Sequence, residues 1–294
     1  VLHACARGGG PMTVYLNGDY HDHGPLIDSR DRGFLLADGV FETLMVRSGR
    51  AIFLQAHLDR LNEACAELSI RFRGETPAFA EIFDALATQN TLQQGDAAGR
   101  ITVTRGQAKR GLLFDPGAPP TVLVSVAPMP ARQTHWRWHL STIVRPSFAR
   151  TSRLKTLGYL DNTLAANAAA ADDCEEAVML NEHGKAVCGS RSTLFVIMDE
   201  AKAGVGASVL LTPPVSDGAL PGITRATVLS LAKEAGIMVR ETSLTPAMLK
   251  EGFVFFTNSL HGLVAGADAS EHAIFRVLKA GFARACDAEE KRAF

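Results

Sequence analysis

The stretch that most constrains this chain is Pro128-Met129-Pro130. Proline lacks the backbone donor that a strand needs, so two prolines in three residues end a strand and stiffen the chain. A β-rich run, Thr121 to Ala127, stops there, and another begins near Trp138. With 294 residues, the chain is long enough for two hydrophobic cores. The expected organisation is a small N-terminal domain over 12–128, a linker over 129–136 and a larger domain over 137–294. Residues 1–11, which contain Gly8-Gly9-Gly10 and precede Met12-Thr13-Val14, read as a disordered extension.

Periodicity fills in both halves. Leu54, Leu58, Leu61, Cys65 and Leu68 recur at helical spacing, and Pro77 opens a second helix with Phe79, Ile82, Phe83 and Leu86 on one side. Thr13 to Tyr20, Val40 to Val46, Arg50 to Phe53 and Arg100 to Thr104 read as strands, and Asp28 to Gly39 as a loop. In the second half, Trp138–Val144, Glu176–Leu180, Ser192–Met198, Val209–Thr212, Ile237–Glu241 and Phe253–Thr257 read as strands. Helices are expected around Lys155 with Leu157, Leu160 and Leu164 on one face, from Gly222 to Gly236, and near the C-terminus through Ile274, Val277, Leu278 and Phe282. Strands and helices mix without strict alternation, so the fold class is α+β: a small α/β N-terminal domain and a larger β-rich C-terminal domain.

Composition excludes several functions. Net charge is −1 with lysines and arginines scattered, so there is no basic footprint for nucleic acid. Cys5, Cys65, Cys174, Cys188 and Cys286 are far apart and lack CxxC spacing. That reads as a reduced, cytoplasmic chain with neither a disulfide framework nor a zinc site. No apolar run approaches the ~18 residues of a membrane span, and residues 1–11 lack the apolar segment of a signal peptide.

Several residues could carry chemistry. Gly222-Ile223-Thr224 opens a helix, whose unpaired N–H groups and positive dipole end suit a phosphate; plain capping by Thr224 is the alternative. Thr257-Asn258-Ser259 offers further hydroxyls or an ordinary strand-end turn. Arg60 lies beside the apolar stripe of its helix, either on the surface or as a phosphate partner; His57, one turn earlier, reads as structural. Lys155, just ahead of an alanine-rich run, is either a solvated charge or an amine nucleophile. Arg105 and Arg110 flank a Gly106 loop and could receive a substrate carboxylate, or be exposed.

The order of these motifs resembles a known family. Asp31-Arg32-Gly33 with Ala37-Asp38-Gly39-Val40-Phe41-Glu42 comes first, then His57-x-x-Arg60-Leu61, then Lys155-Thr156-Leu157-Gly158-Tyr159-Leu160-Asp161-Asn162. Gly189-Ser190-x-Ser192-x-Leu194-Phe195, Leu220-Pro221-Gly222-Ile223-Thr224-Arg225 and Thr257-Asn258-Ser259 follow. Together they are similar to the class IV, fold-type IV enzymes that use pyridoxal phosphate. That group holds branched-chain aminotransferases, D-amino-acid aminotransferases and aminodeoxychorismate lyases.

The resemblance, over residues 13 to 265, implies pyridoxal phosphate as cofactor, a homodimer and small amino-acid and 2-oxo-acid substrates. It implies that Lys155 forms the imine with the cofactor and shuttles the proton. Arg60, Ile223, Thr224 and Ser259 would hold the phosphate, and Tyr159 would donate to the phenolic oxygen. One departure stands out. Cys188 occupies the place where the family has a glutamate that keeps the cofactor's ring nitrogen protonated, and Thr193 replaces a nearby asparagine. Glu182 is the nearest carboxylate upstream on the preceding turn. Ala37 stands where many members have glycine, and Gly266 near a common Pro-Val pair. The expected reaction is amino transfer between a small, branched or D-amino acid and a 2-oxo acid. The alternatives are a lyase releasing pyruvate and 4-aminobenzoate from aminodeoxychorismate, and a cofactor-binding homologue impaired by Cys188.

Overall fold

The structure, a computed structural model, describes residues 12–22, 27–199, 208–266 and 272–292. Residues 1–11, read above as an extension, lie outside the described residues. The chain divides into two units, the first ending at Pro130 and the second running Ala131–Arg292.

The first unit opens with a hairpin, β1 (Val14–Leu16) and β2 (Asp19–His21). Asn17 (φ 52°) and Gly18 (φ 113°) both take positive φ, which matches the twist of a two-residue hairpin turn. The Asn-Gly signal thus folds a single expected strand back on itself. Inside the expected loop lies a short helix, α1 (Arg32–Leu36), capped by Asp31, whose carboxylate accepts from the Gly33 amide at 2.8 Å. It ends at Ala37 with φ 54°. An alanine is strained in this left-handed region, which is the physical reason a glycine suits the position.

The remaining elements are β3 (Gly39–Arg47), β4 (Arg50–Ala51), α2 (Leu54–Glu67), α3 (Thr76–Gln89), β5 (Asp96–Thr104) and β6 (Thr121–Pro128). They form an antiparallel sheet in the order β2-β1-β6-β5-β3-β4. Val40, Leu44 and Val46 of β3 are fully buried, as are Leu58 and Leu61 of α2 and Phe83 and Leu86 of α3. The helical stripes seen in the sequence are therefore the faces that build this core.

The second unit contains β7 (His135–Trp136), β8 (Trp138–Val144), α4 (Leu160–Ala171), β9 (Glu176–Leu180), β10 (Ala186–Gly189) and β11 (Thr193–Asp199). It continues with β12 (Ser208–Thr212), α5 (Ile223–Glu234), β13 (Met238–Glu241), α6 (Pro246–Glu251), β14 (Phe253–Asn258), β15 (Gly262–Gly266) and α7 (Ala273–Glu290). The main sheet runs β7-β15-β14-β11-β10-β9-β8, with β12 and β13 branching from β11.

Three differences from expectation have local causes. Residues 135–136, read as linker, form a strand whose Trp136 is fully buried against Phe256 and Val264. β10 is only four residues long and ends in Cys-Gly, too short to show an alternation. Lys155 lies ahead of its helix, because α4 starts at Leu160. Leu160 and Leu164, expected inside, are 70% and 49% exposed. The buried face is Asn162, Ala165 and Ala169, whose small side chains let α4 pack against β8 and β9.

Candidate active site

Lys155 sits in the non-helical stretch between a single turn at Arg150–Arg153 and the start of α4. Its Nζ donates to Tyr159 Oη at 3.3 Å and lies 5.0 Å from the centre of the tyrosine ring. Tyr159 is the residue at which α4 begins. Three residues further, the Asn162 side chain donates to the Ser190 carbonyl at 2.6 Å. That bond ties the start of α4 to the turn after β10. The segment carrying the lysine is thus anchored to the sheet.

A second group of residues converges at the start of α5. Cys188, Thr193 and Thr257 are register partners on the adjacent strands β10, β11 and β14. Partners across a pair share a face of the sheet. Gly222, the cap residue of α5, packs over the middle of this row, where a Cβ would come within 2.8 Å of Thr193 Oγ1. No side chain caps the helix, so capping by Thr224 does not occur. The amides of Ile223 and Thr224 stand at the positive end of the helix dipole. Thr224 is buried, and Thr257 Oγ1 is buried without a hydrogen-bond partner. Ser259 is half-buried just beyond β14. An uncapped helix start, a glycine in close approach and an orphaned hydroxyl fit a phosphate group.

In the first unit, Arg60 is held by a buried carboxylate. Its Nε donates to Glu42 Oε1 at 2.8 Å and its Nη2 to Oε2 at 2.6 Å. His57 Nδ1 lies 2.7 Å from the same Oε2, and His57 is fully buried. Burial works to raise the Glu42 pKa, but the Arg60 charge, with His57, outweighs it and holds the carboxyl at about 2. His57 thus forms part of a buried cluster around Glu42. Sequence reasoning quoted Glu42 only as part of a motif; the usable signal was an acid within an otherwise apolar strand.

The class IV amino-transferase family profile matches residues 39–267. The chain belongs to the class IV aminotransferases. It is 33% identical over 238 residues to a Methanocaldococcus jannaschii protein assigned as a branched-chain-amino-acid aminotransferase, covering 80% of this chain and 79% of that one. It is 27% identical over 251 residues to the aminodeoxychorismate lyase of Bacillus subtilis, covering 84% and 83%. Among solved structures, a hypothetical aminotransferase from Mycobacterium tuberculosis in its pyridoxal-phosphate-bound form superposes with a TM-score of 0.79 at 23% identity, covering 94% and 99%. The protein is thus an enzyme of a family that typically depends on pyridoxal phosphate, with the fold-type IV architecture. Among the described residues no helix is long and apolar enough to cross a membrane, and no His, Cys, Asp and Glu group is placed to hold a metal.

For a class IV aminotransferase, the two expected carboxylate receivers differ. Arg105 is 4% exposed. It donates from Nε and Nη2 to Asp38 at 2.9 and 3.1 Å, and from Nη1 and Nη2 to the carbonyls of Ser69 and Leu68 at 2.9 and 2.8 Å. The face of its guanidinium covers the Phe114 ring. All of these contacts lie within the first unit, where Arg105 ties Asp38 to the end of α2. Arg110 is exposed, on the loop after β5.

Cys188, in the place of the family's glutamate, is 6% exposed and packs with Ala165, Met179 and Ala219. Burial pushes its thiol up; Arg145 opposes this and Glu176 adds to it. Glu182, the spare carboxylate upstream, is exposed and accepts from the Ser147 amide and hydroxyl, which hold it at about 2. Arg145 and Glu176 carry no signal in the sequence, and Asn162 enters only within a motif, because each acts through partners brought together only by the fold.

Proposed function

We propose that this enzyme transfers an amino group between a small or branched-chain amino acid, or a D-amino acid, and a 2-oxo acid, with pyridoxal phosphate as cofactor. The observation that carries the reading is the pairing of Lys155 Nζ with Tyr159 Oη on an anchored segment. The phosphate-shaped start of α5 supports it in the same unit. Pyridoxal phosphate, when bound, supplies a carbonyl that takes up an amine and a ring that withdraws electrons from it.

The chain's own residues do the rest. Lys155 Nζ holds the cofactor and then carries a proton to and from the substrate's α-carbon. Tyr159 Oη orients that amine. The amides of Ile223 and Thr224, with the hydroxyls of Thr224 and Ser259, hold the phosphate. Within the first unit, Glu42 fixes the guanidinium of Arg60, which the resemblance implies as a phosphate partner. Cys188 stands where the resemblance puts the residue that would face the cofactor's ring nitrogen. A homodimer belongs to the same proposal. Its support is an exposed apolar face formed by Phe34, Leu35, Leu112 and Leu113, which are 76%, 55%, 81% and 93% exposed.

The likeness to an aminodeoxychorismate lyase favours a second reading, release of pyruvate and 4-aminobenzoate from aminodeoxychorismate. The two readings separate in a single-turnover experiment. Cofactor-loaded protein mixed with an amino acid and no acceptor releases one equivalent of 2-oxo acid if it is a transferase. No release from a panel of L- and D-amino acids, with continuous turnover of aminodeoxychorismate, would establish the lyase instead.

A further inference from the structure

The Cys188 end of the site has its own electrostatic character. Glu176 on β9 and Glu182 on the turn after it could stand in for the acid that Cys188 displaces, and both are committed elsewhere. Glu176, on β9, is fully buried. Its Oε1 accepts from the amides of Ala177 and Ser190 at 2.9 and 2.8 Å and from the Ser190 hydroxyl; its Oε2 accepts from Ser192 Oγ at 2.7 Å. Gly189 packs so closely that a Cβ would come within 2.7 Å of this carboxyl group. Glu176 therefore braces the turn after Cys188. Glu182 is turned outward onto Ser147.

The charged group that does reach this end is an arginine. Arg145, just past β8, donates from Nε to the Gly218 carbonyl at 2.9 Å and from Nη2 to the Ser152 carbonyl. Gly218 adjoins Ala219, which packs on Cys188. Arg145 also lines a cleft of about 100 Å³ together with Tyr159, Asn162 and Met179. Met179 is the register partner of Cys188 on β9. The titratable groups around Cys188 and this cleft are thus Arg145 from the end of β8, Glu176 from β9, and Tyr159 and the exposed Asp161 from the start of α4. Glu176 is already saturated with donors, and Asp161 is solvated on the outer side of the helix start.

Resting on the cofactor assignment above, we propose that this enzyme holds the ring nitrogen of pyridoxal phosphate unprotonated, with the Cys188 thiol and the Arg145 guanidinium where an acid would otherwise protonate it. A thiol can donate a weak hydrogen bond to a neutral ring nitrogen but cannot balance a charged one. A nearby guanidinium disfavours a second positive charge. The ring then withdraws electrons less strongly, and more of the work at the α-carbon falls to Lys155.

The test is nitrogen-15 magnetic resonance of the protein loaded with ring-labelled pyridoxal phosphate, at neutral pH. The wild type and Cys188→Ser are expected to give the resonance of a neutral pyridine, and Cys188→Glu an upfield shift to that of a pyridinium. Arg145→Gln is expected to raise the pH at which the wild-type resonance begins to move upfield. A pyridinium resonance in the wild type overturns the proposal even if Cys188→Glu fails to fold. An unchanged titration in Arg145→Gln removes Arg145 from it. Failure of the wild type to take up the labelled cofactor at all would instead refute the cofactor assignment.

Discussion

At the scale of single residues, the arrangement around Glu42 shows how much one buried carboxylate can hold. Leaving water costs the charge several kcal/mol, and the loss is offset only by well-placed partners. Arg60 and His57 are those partners. The Glu42 pKa falls from 4.5 to about 2 on folding. Because the folded value is the lower one, the stabilisation is fully present above pH 4.5 and is lost as pH falls towards 2. At ~1.4 kcal/mol per unit this is about 3 kcal/mol. Glu42→Gln is expected to lose roughly that much in urea unfolding at pH 7 and to flatten the acid limb of the stability profile. Unchanged stability would show that the pair contributes nothing net. Glu42 was visible as an acid in a strand, and Arg60 as an arginine beside an apolar stripe. That they meet depends on β3 packing against α2, which neither local pattern encodes. The contacts of Arg105 were hidden for the same reason: its partners Asp38, Leu68 and Ser69 are distant in sequence, and nothing near residue 105 announces them.

At the scale of elements, long periodic segments were legible and short ones were not. α2, α3, α5 and α7 follow apolar spacing or a Gly-x-Thr start. The four residues of β10 and the two of β7 are too few to show a period, yet β10 carries Cys188 and β7 carries Trp136. α4 misled because its outward leucines looked like a core stripe, while its alanines are what pack. The start of α5 reads in the sequence as a phosphate-like or a capped helix terminus, and the structure shows a start without a side-chain cap. Its close approach to Thr193 came only with the strand register. Gly222→Ala places a methyl group within 2.8 Å of Thr193 Oγ1, and relieving such overpacking costs ~1–3 kcal/mol. The helix start has to shift, so affinity for pyridoxal phosphate is expected to fall by about tenfold or more, read by equilibrium titration of the apoenzyme. Unaltered affinity would separate the α5 terminus from the cofactor.

At the scale of the whole molecule, the family and its two-unit organisation set what remains to be measured. α1 and the loop at 111–114 are bound together by Arg32, which donates to the carbonyls of Gly111 and Leu112 at 2.9 and 3.1 Å. Together they expose an apolar face of the kind that usually marks an interaction surface. Leu113→Glu combined with Phe34→Glu is expected to convert a dimer to a folded monomer in sedimentation velocity. A dimer that persists places the contact elsewhere. The central claim is that Lys155 is the residue that holds the cofactor, and its most direct measurement is chemical. Cofactor-loaded protein is reduced with borohydride, digested, and the phosphopyridoxyl-bearing peptide located by mass spectrometry. A single labelled site at Lys155, lost in Lys155→Ala, is expected. Labelling at another lysine, or none in the wild type, would contradict the claim.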